Sequence, residues 1–163
     1  MLHHFFSELQ AEVPATRKCL ERIPESLYDW KPHEKSMTLG YLTVLVAEIP
    51  KWLSVMVEER LIDFLTFQHH MPKSNNEMLD FFDKNVRAAE ESFKKANDGD
   101  LEKHFVLKRG ETIFIDSPLR ENISSTLNHW VHHRGQLTVY MRLNNILVPS
   151  IYGPSADEQS PPK

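Results

Sequence analysis

Glycine and cysteine are both scarce in this 163-residue chain, which holds five glycines and one cysteine. Sheets with many tight turns, and loops that cradle phosphate groups, usually need more glycine, so the composition favours helices. The single Cys19 cannot form a disulfide within the chain, which is what we expect of a protein kept in a reducing compartment. A cytoplasmic location is therefore predicted.

A strong excess of charge and long apolar runs are also lacking. Lysine and arginine together number 19, against 23 aspartate and glutamate residues, and the basic residues are scattered along the chain. Nucleic-acid-binding proteins usually gather basic residues on one face, so no nucleic-acid partner is predicted. The stretch MLHHFFSELQAEV lacks a signal-peptide cleavage site, and no run elsewhere approaches the ~20 apolar residues of a membrane helix. No membrane partner is predicted either.

The spacing of apolar residues predicts an all-α protein with four helices. Apolar residues recur every three to four positions, which gives a helix one face that can be buried. The four predicted helices lie near 2–22, 37–57, 74–97 and 117–147. Pro14 is predicted to bend or interrupt the first helix, and Pro50 to kink the second, because proline removes a backbone hydrogen-bond donor.

Side chains that can accept hydrogen bonds from free backbone N–H groups mark the predicted helix starts. These are Ser36 or Thr38 for the second helix, Ser74 with Glu77 as a capping box for the third, and Ser117 followed by Pro118 for the fourth.

Between Leu101 and Asp116 the helical period is replaced by two short β-rich runs around Arg109-Gly110. One hairpin near 103–115 is therefore predicted, with no third strand. The chain is predicted to form a four-helix bundle domain over 1–150, with the hairpin before the last helix. An extended tail with a polar, fraying end is expected over 151–163.

The stretch NHWVHHRGQ, residues 128 to 136, holds three histidines within the fourth helix. His129 and His133 are four residues apart, so they project from the same helix face and can share one metal ion. His132 points about 100° away and is a poor third ligand. A second interpretation remains open, in which these polar groups only satisfy each other's hydrogen bonds inside a bundle.

The histidine face continues along the same helix through Thr126, Gln136 and Tyr140. An apolar stripe runs beside it, so a polar seam at the edge of the core is predicted, and these residues are candidates to line a ligand pocket. Arg134 falls on the packed side, where its charge needs a carboxylate or carbonyl partner. Structural pairing is the preferred role for Arg134.

Two segments of the chain resemble the DinB/YfiT-like superfamily. They are HHRGQLTVYMRL followed by VPSIYGPSADE, and SMTLGYL with AEIPKW, and the hairpin before the last helix is similar too. The resemblance implies a four-helix bundle of up-down-down-up order that is commonly dimeric, and hence a homodimer.

The same resemblance implies a divalent metal ion, zinc or nickel, bound by three histidines. His129 and His133 match the pair on the fourth helix, but the second-helix position that should hold the third histidine is Leu45. Glu48, one turn further along, is an oxygen donor in the same segment. The expected pocket therefore brings Leu45 and Glu48 opposite the histidine pair, with an incomplete metal site.

Two functions remain open at this stage. One is a metal-dependent enzyme, transferase-like or isomerase-like, acting with a low-molecular-weight thiol, as the resemblance implies for some relatives. The other is a metal-free protein that keeps the bundle and binds a small ligand or a partner without catalysis. Leucine at position 45, in place of a ligand histidine, weakens the metal-dependent hypothesis. It also makes a drier pocket, which favours the metal-free binding protein.

Overall fold

The computed structural model describes residues 1–159 and contains four long helices. They are α1 (Leu2–Glu21), α2 (Leu39–Glu58), α3 (Asn75–Lys95) and α4 (Leu119–Leu143), with short 3-10 turns at Glu25–Leu27 and Asp98–Glu102. Side-chain contacts pair α2 with α3 in parallel, since Asn85 reaches Ala47 and Ser92 reaches Glu58. The predicted all-α bundle with its up-down-down-up order is confirmed.

Both helices that contain an internal proline continue through it. The predicted interruption of α1 at Pro14 is wrong, because the helix runs unbroken to Glu21. In α2, Pro50 leaves the Val46 carbonyl without its usual helical donor four residues later. The Trp130 indole N–H of α4 donates to this carbonyl at 2.8 Å. The proline thus creates an acceptor that fixes α4 against α2 beside His129.

The helix starts agree with the sequence at two places and differ at a third. Thr38, and not Ser36, caps α2 by accepting from the Tyr41 N–H, and Ser74 caps α3 by accepting from the Glu77 N–H. The fourth start was misplaced, since Ser117 and Pro118 are the last residues of a strand and α4 begins at Leu119.

The fourth helix also ends earlier than predicted, at Leu143 instead of 147. The chain leaves the helix at Asn144, and Asn145 adopts a left-handed backbone conformation with φ of 57°. Asparagine tolerates this region better than most residues, so the turn ends the helix where the apolar pattern alone suggested continuation.

The predicted hairpin is present, but it belongs to a larger sheet. The three strands are β1 (Leu61–Asp63), β2 (His104–Arg109) and β3 (Thr112–Pro118), in the order β1-β2-β3. The expectation of only two strands is wrong, because β1 adds in parallel to β2 with Leu61 opposite Val106. Three residues are too few to show an alternating pattern, and their partner lies far along the chain.

The side chain of Asp63 holds β1 and the hairpin turn together. It accepts hydrogen bonds from the backbone N–H groups of Leu65 and Gly110. Gly110 forms the hairpin turn, where its φ of +58° lies in the left-handed region. These two backbone donors lower the pKa of the Asp63 carboxyl, so it remains ionised at neutral pH. The Asp63 side chain thereby fixes β1 and the hairpin turn relative to each other.

Arg134 is buried and paired, as the sequence predicted. Its guanidinium lies 2.5 Å from a Glu12 carboxylate oxygen and donates to the Thr16 hydroxyl and to the Tyr152 hydroxyl. Tyr152 in turn donates to the Glu12 carboxylate. This network joins α1, α4 and the segment after α4. Residues 151–159 form neither helix nor strand, and residues 160–163 of the predicted tail lie outside the described part of the chain.

One helix, α2, is long and apolar enough to cross a membrane by length and composition. Within the bundle, 72% of its most apolar stretch is buried against the other elements, as in the core helix of a globular fold. Cys19 is also buried in this core, and burial raises the pKa of its thiol to about 11. A buried thiol with a raised pKa is a poor nucleophile, so Cys19 serves as a core side chain.

Candidate functional site

His129 and His133 meet on the face of α4 that looks toward α2. Their Nε2 atoms are 2.6 Å apart, and His133 Nδ1 lies 2.7 Å from the Gln136 side-chain oxygen. That oxygen only accepts, so His133 Nδ1 carries a proton, and its Nε2 accepts from His129 Nε2–H when both rings are neutral. The three side chains form a directed hydrogen-bond chain along one helix face.

The surroundings of the pair favour neutral imidazoles. Burial lowers the pKa of His129, and the positive charge that His133 and His132 can carry lowers it further. Burial also lowers the pKa of His133, although its hydrogen bond with Gln136 acts in the opposite direction. His132 itself is exposed, with its ring 5.0 Å from that of His133. At neutral pH the two inner rings are therefore mainly uncharged, the form that can bind a metal ion.

The donor set at this pair does not match a three-histidine metal site. Within residues 1–159, no group of three histidine, cysteine, aspartate or glutamate side chains is arranged to hold an ion. Two nitrogens on one tetrahedral zinc, each about 2.0–2.1 Å from it, stand roughly 3.3 Å apart. His129 and His133 would have to separate from 2.6 Å and give up their mutual hydrogen bond to hold an ion together.

A cavity of about 270 Å³ lies between α2, α4 and the sheet, and it is termed the main cavity because His129 lines it, not because of its size. Most of its lining is apolar and comes from α2, from the three strands and from the segment after β1: Trp52, Met56, Ile62, Phe64, Phe67, Phe105, Leu107 and Ile115. The ring of Trp52 also packs against His129, with ring centres 5.5 Å apart. The cavity therefore begins at His129 and extends toward the sheet.

Polar groups are concentrated on the α4 wall of the main cavity. Asn122, Ser125, Thr126 and His129 line it, and His69 joins them from the segment after β1. The four α4 residues follow the three-to-four spacing of one helix face. Sequence reasoning found Thr126 and His129 but missed Asn122 and Ser125, although the same spacing points to them. The sheet wall was missed because the strand that contributes Ile62 was not recognised.

Leu45 and Glu48 line a different cavity, of about 310 Å³, termed the second cavity. The two cavities share a wall formed by Trp52, Phe64 and His69. The expected single pocket is thus divided, with Thr126 and His129 on one side and Leu45 and Glu48 on the other.

The remaining three candidates, His133, Gln136 and Tyr140, line neither of these cavities. Gln136 holds His133 in place, as described above. Tyr140 is buried and packs edge-on against Trp30, with ring centres 5.5 Å apart. Its placement indicates a packing role beside the histidine face.

Comparison with known families gives this arrangement a context. The family model described as the DinB family matches residues 1–163, the whole chain. The chain belongs to the DinB family. One similar protein is the uncharacterized protein YrdA of Bacillus subtilis (strain 168), which is 27% identical over 164 residues. The alignment covers 96% of this chain and 91% of that protein.

Two crystal structures of DinB-like proteins share the fold. One, from Bacillus cereus ATCC 10987, has a TM-score of 0.71 at 23% identity and covers 92% of this chain and 97% of that one. The other, YjoA from Bacillus subtilis, has a TM-score of 0.69 at 15% identity and covers 88% and 93%. At these identities the DinB-like structures establish the fold alone.

Proposed function

We propose that this DinB-family protein binds a small ligand in the main cavity, with an apolar body against the sheet and one polar group directed at α4. The observation that carries this proposal is the segregation of the lining, which is apolar except along α4 and at His69. Apolar walls with a few convergent polar groups are typical of small-molecule sites. The division of the walls sets the orientation of the ligand.

The polar wall has hydrogen-bonding capacity to offer. The Thr126 hydroxyl donates to the Met56 sulfur at 3.5 Å. A thioether sulfur is a weak acceptor, so this hydroxyl can donate to a better acceptor on a ligand. Ser125 is exposed at the rim of the cavity. A ligand hydroxyl or carbonyl placed against these groups gains hydrogen bonds, while burial of its apolar part contributes about 25 cal/mol per Å².

Binding of 1-naphthol, a compact apolar probe with one hydroxyl, tests this proposal. We expect methyl NMR signals of Met56 and Ile62, which line the main cavity, to shift on titration, while the methyl signals of the exposed Ile113, outside that cavity, stay unchanged. A Ser125→Trp variant should weaken binding at least about 10-fold, since a large ring at the rim competes for the same space.

The matched control for that variant is Ser124→Trp. Ser124 is the adjacent exposed serine, and it lies outside the main cavity. Equal loss of 1-naphthol binding in both variants, or shifts spread over the surface without Met56 and Ile62, would contradict a site in the main cavity.

A second candidate is zinc or nickel binding at His129 and His133, in support of the transferase-like or isomerase-like thiol chemistry that the family resemblance implies. The hydrogen bond from His133 Nδ1–H to Gln136 favours it, because metal-binding histidines usually donate their other ring N–H to a fixed acceptor. The missing third donor weighs against it. Elemental analysis of tag-free protein distinguishes the candidates, since near-stoichiometric metal supports the second.

We also propose that two copies associate through the end of α4. Val139 and Leu143 lie four residues apart on one face, each 57% exposed, and Leu147 follows in the next segment. The resemblance, which implies a homodimer, supports this association. We expect a dimer mass by light scattering at high micromolar concentration and a monomer for Leu143→Glu. Leu65→Glu, an exposed leucine after β1, should remain dimeric. A monomeric wild type contradicts the proposal.

A further inference from the structure

The second cavity contains a buried carboxylate that the protein satisfies only in part. Glu48 is 2% exposed and lines this cavity. Its Oε2 oxygen lies 2.7 Å from His69 Nδ1 and accepts from the Trp52 indole N–H at 3.4 Å. Its Oε1 oxygen is equally buried and has no hydrogen-bond donor among residues 1–159. A buried carboxylate oxygen without a donor is unfavourable, so the site has capacity for a donor from outside the chain.

The rest of the lining determines what kind of donor fits. The other residues around the cavity are mainly aromatic or aliphatic: Tyr41, Val44, Leu45, Trp52, Phe64 and Met71. Among the described residues that line it there is no lysine or arginine, so His69 alone could provide a compensating positive charge. Aromatic faces attract cations, and a carboxylate gives its strongest hydrogen bonds to charged donors.

We propose that the second cavity binds a small protonated organic amine. The ammonium N–H donates to the Glu48 carboxylate, whose Oε1 is closed off from solvent in the unliganded protein and is reached by a shift of the side chain on binding. The apolar substituent of the amine packs against Leu45, Trp52 and Met71. An ammonium with at least one N–H is required, because the unsatisfied atom is a hydrogen-bond acceptor. Leu45, which stands where the resemblance places a metal-binding histidine, here supplies apolar surface beside the carboxylate. This site is separate from the ligand site proposed for the main cavity.

The cavity has an open rim and a closed floor, which suits this orientation. Tyr41 and Met71 are exposed at the rim, whereas Val44 and Glu48 are buried. An amine entering with its charged end first reaches Glu48 in a low-dielectric environment, where a charge-assisted hydrogen bond is stronger than at the surface. The apolar body then covers the aromatic rim.

The first test compares phenethylammonium with 2-phenylethanol, a neutral molecule of similar shape. By titration calorimetry at neutral pH, we expect the ammonium to bind wild-type protein at least 10-fold more tightly than the alcohol. NMR signals from the methyl groups of Leu45 and Met71 should shift, because these residues line the second cavity and not the main one. Equal affinities for the two probes, or shifts confined to Met56 and Ile62, would overturn the proposal.

Variants then assign the binding to the carboxylate. Glu48→Gln keeps the side-chain shape and removes the charge, and it should reduce phenethylammonium affinity at least 10-fold. Glu59→Gln removes the same charge from the exposed end of α2 and should leave the affinity unchanged. Equal losses in both variants would mean that general electrostatic attraction causes the binding, and would refute the site. If Glu48→Gln does not fold, the comparison of the two probes on wild type still decides.

A last variant separates this site from the main cavity. Ser125→Trp lies at the rim of the main cavity, outside the second one, so it should weaken 1-naphthol binding and leave phenethylammonium binding intact. Loss of both ligands in this variant would show that the amine occupies the main cavity and would refute a separate amine site. Loss of 1-naphthol binding alone supports both sites, and failure of 1-naphthol to bind wild type affects the main cavity only.

Discussion

Replacing Leu45 with histidine should increase the affinity of the protein for zinc or nickel by at least about 10-fold. The helix register supports this expectation. Thr126 contacts Met56 and the His129 ring packs on Trp52, so α2 and α4 run antiparallel. Position 45 lies seven residues before Trp52 on α2, and Gln136 lies seven residues after His129 on the antiparallel α4. Position 45 is therefore level with Gln136, whose side chain contacts His133. A third imidazole there would complete a three-nitrogen set.

Titration calorimetry on tag-free wild type and variant measures the effect. Leu45→Gln is the matched control, because it adds a polar side chain of similar length without an imidazole. The gain should disappear when His129→Gln is added to Leu45→His, since the new ligand acts only together with the pair. Identical metal affinities of wild type and Leu45→His would show that position 45 faces the second cavity alone, as Leu45 does in the present structure.

Replacing Arg134 with methionine should destabilise the protein by about 3–5 kcal/mol, because Glu12 would remain buried without its partner. Arg134 is 2% exposed, and Glu12 is nearly as buried. Its guanidinium also donates to Thr16 and Tyr152, so the substitution removes several hydrogen bonds together. Urea denaturation of wild type and variant, followed by circular dichroism, measures the change in the free energy of unfolding.

Two further variants test the explanation. Arg134→Met combined with Glu12→Leu should recover most of the loss, because no uncompensated charge stays buried. Arg142→Met removes an arginine on the same helix whose side chain is half exposed in its ion pair with Asp157, and it should cost less than about 1 kcal/mol. A double variant as unstable as Arg134→Met alone would mean that packing, and not the buried charge, causes the loss.

Local sequence signals predicted the helices and the histidine pair well, because both depend on residues close in the chain. Thr38 and Ser74 cap helices through their immediate neighbours. The four-residue spacing of His129 and His133 alone brings their rings together. Such features follow from helix geometry, whatever the rest of the chain does.

The features that the sequence did not reveal depend on distant partners. The strand β1 is defined by its pairing with β2, more than 40 residues later, and its three residues carry no period of their own. The boundary at Ser117 and Pro118 was misplaced because these residues pair with Phe105 and His104, which overrides their capping preference. The division of the expected pocket depends on Trp52 and Phe64, whose positions follow from how the sheet packs on α2.

The Arg134 network also sets an order of events while the chain is being synthesised. Glu12 leaves the ribosome long before Arg134, and Tyr152, whose hydroxyl bridges the two, follows Arg134 by 18 residues. A nascent chain halted before residue 152 can bring α1 and α4 together only without this bridge. Contacts so far apart in sequence close large loops and therefore form late. The bridge between Glu12 and Arg134 is therefore complete only after the segment that follows α4 has been synthesised.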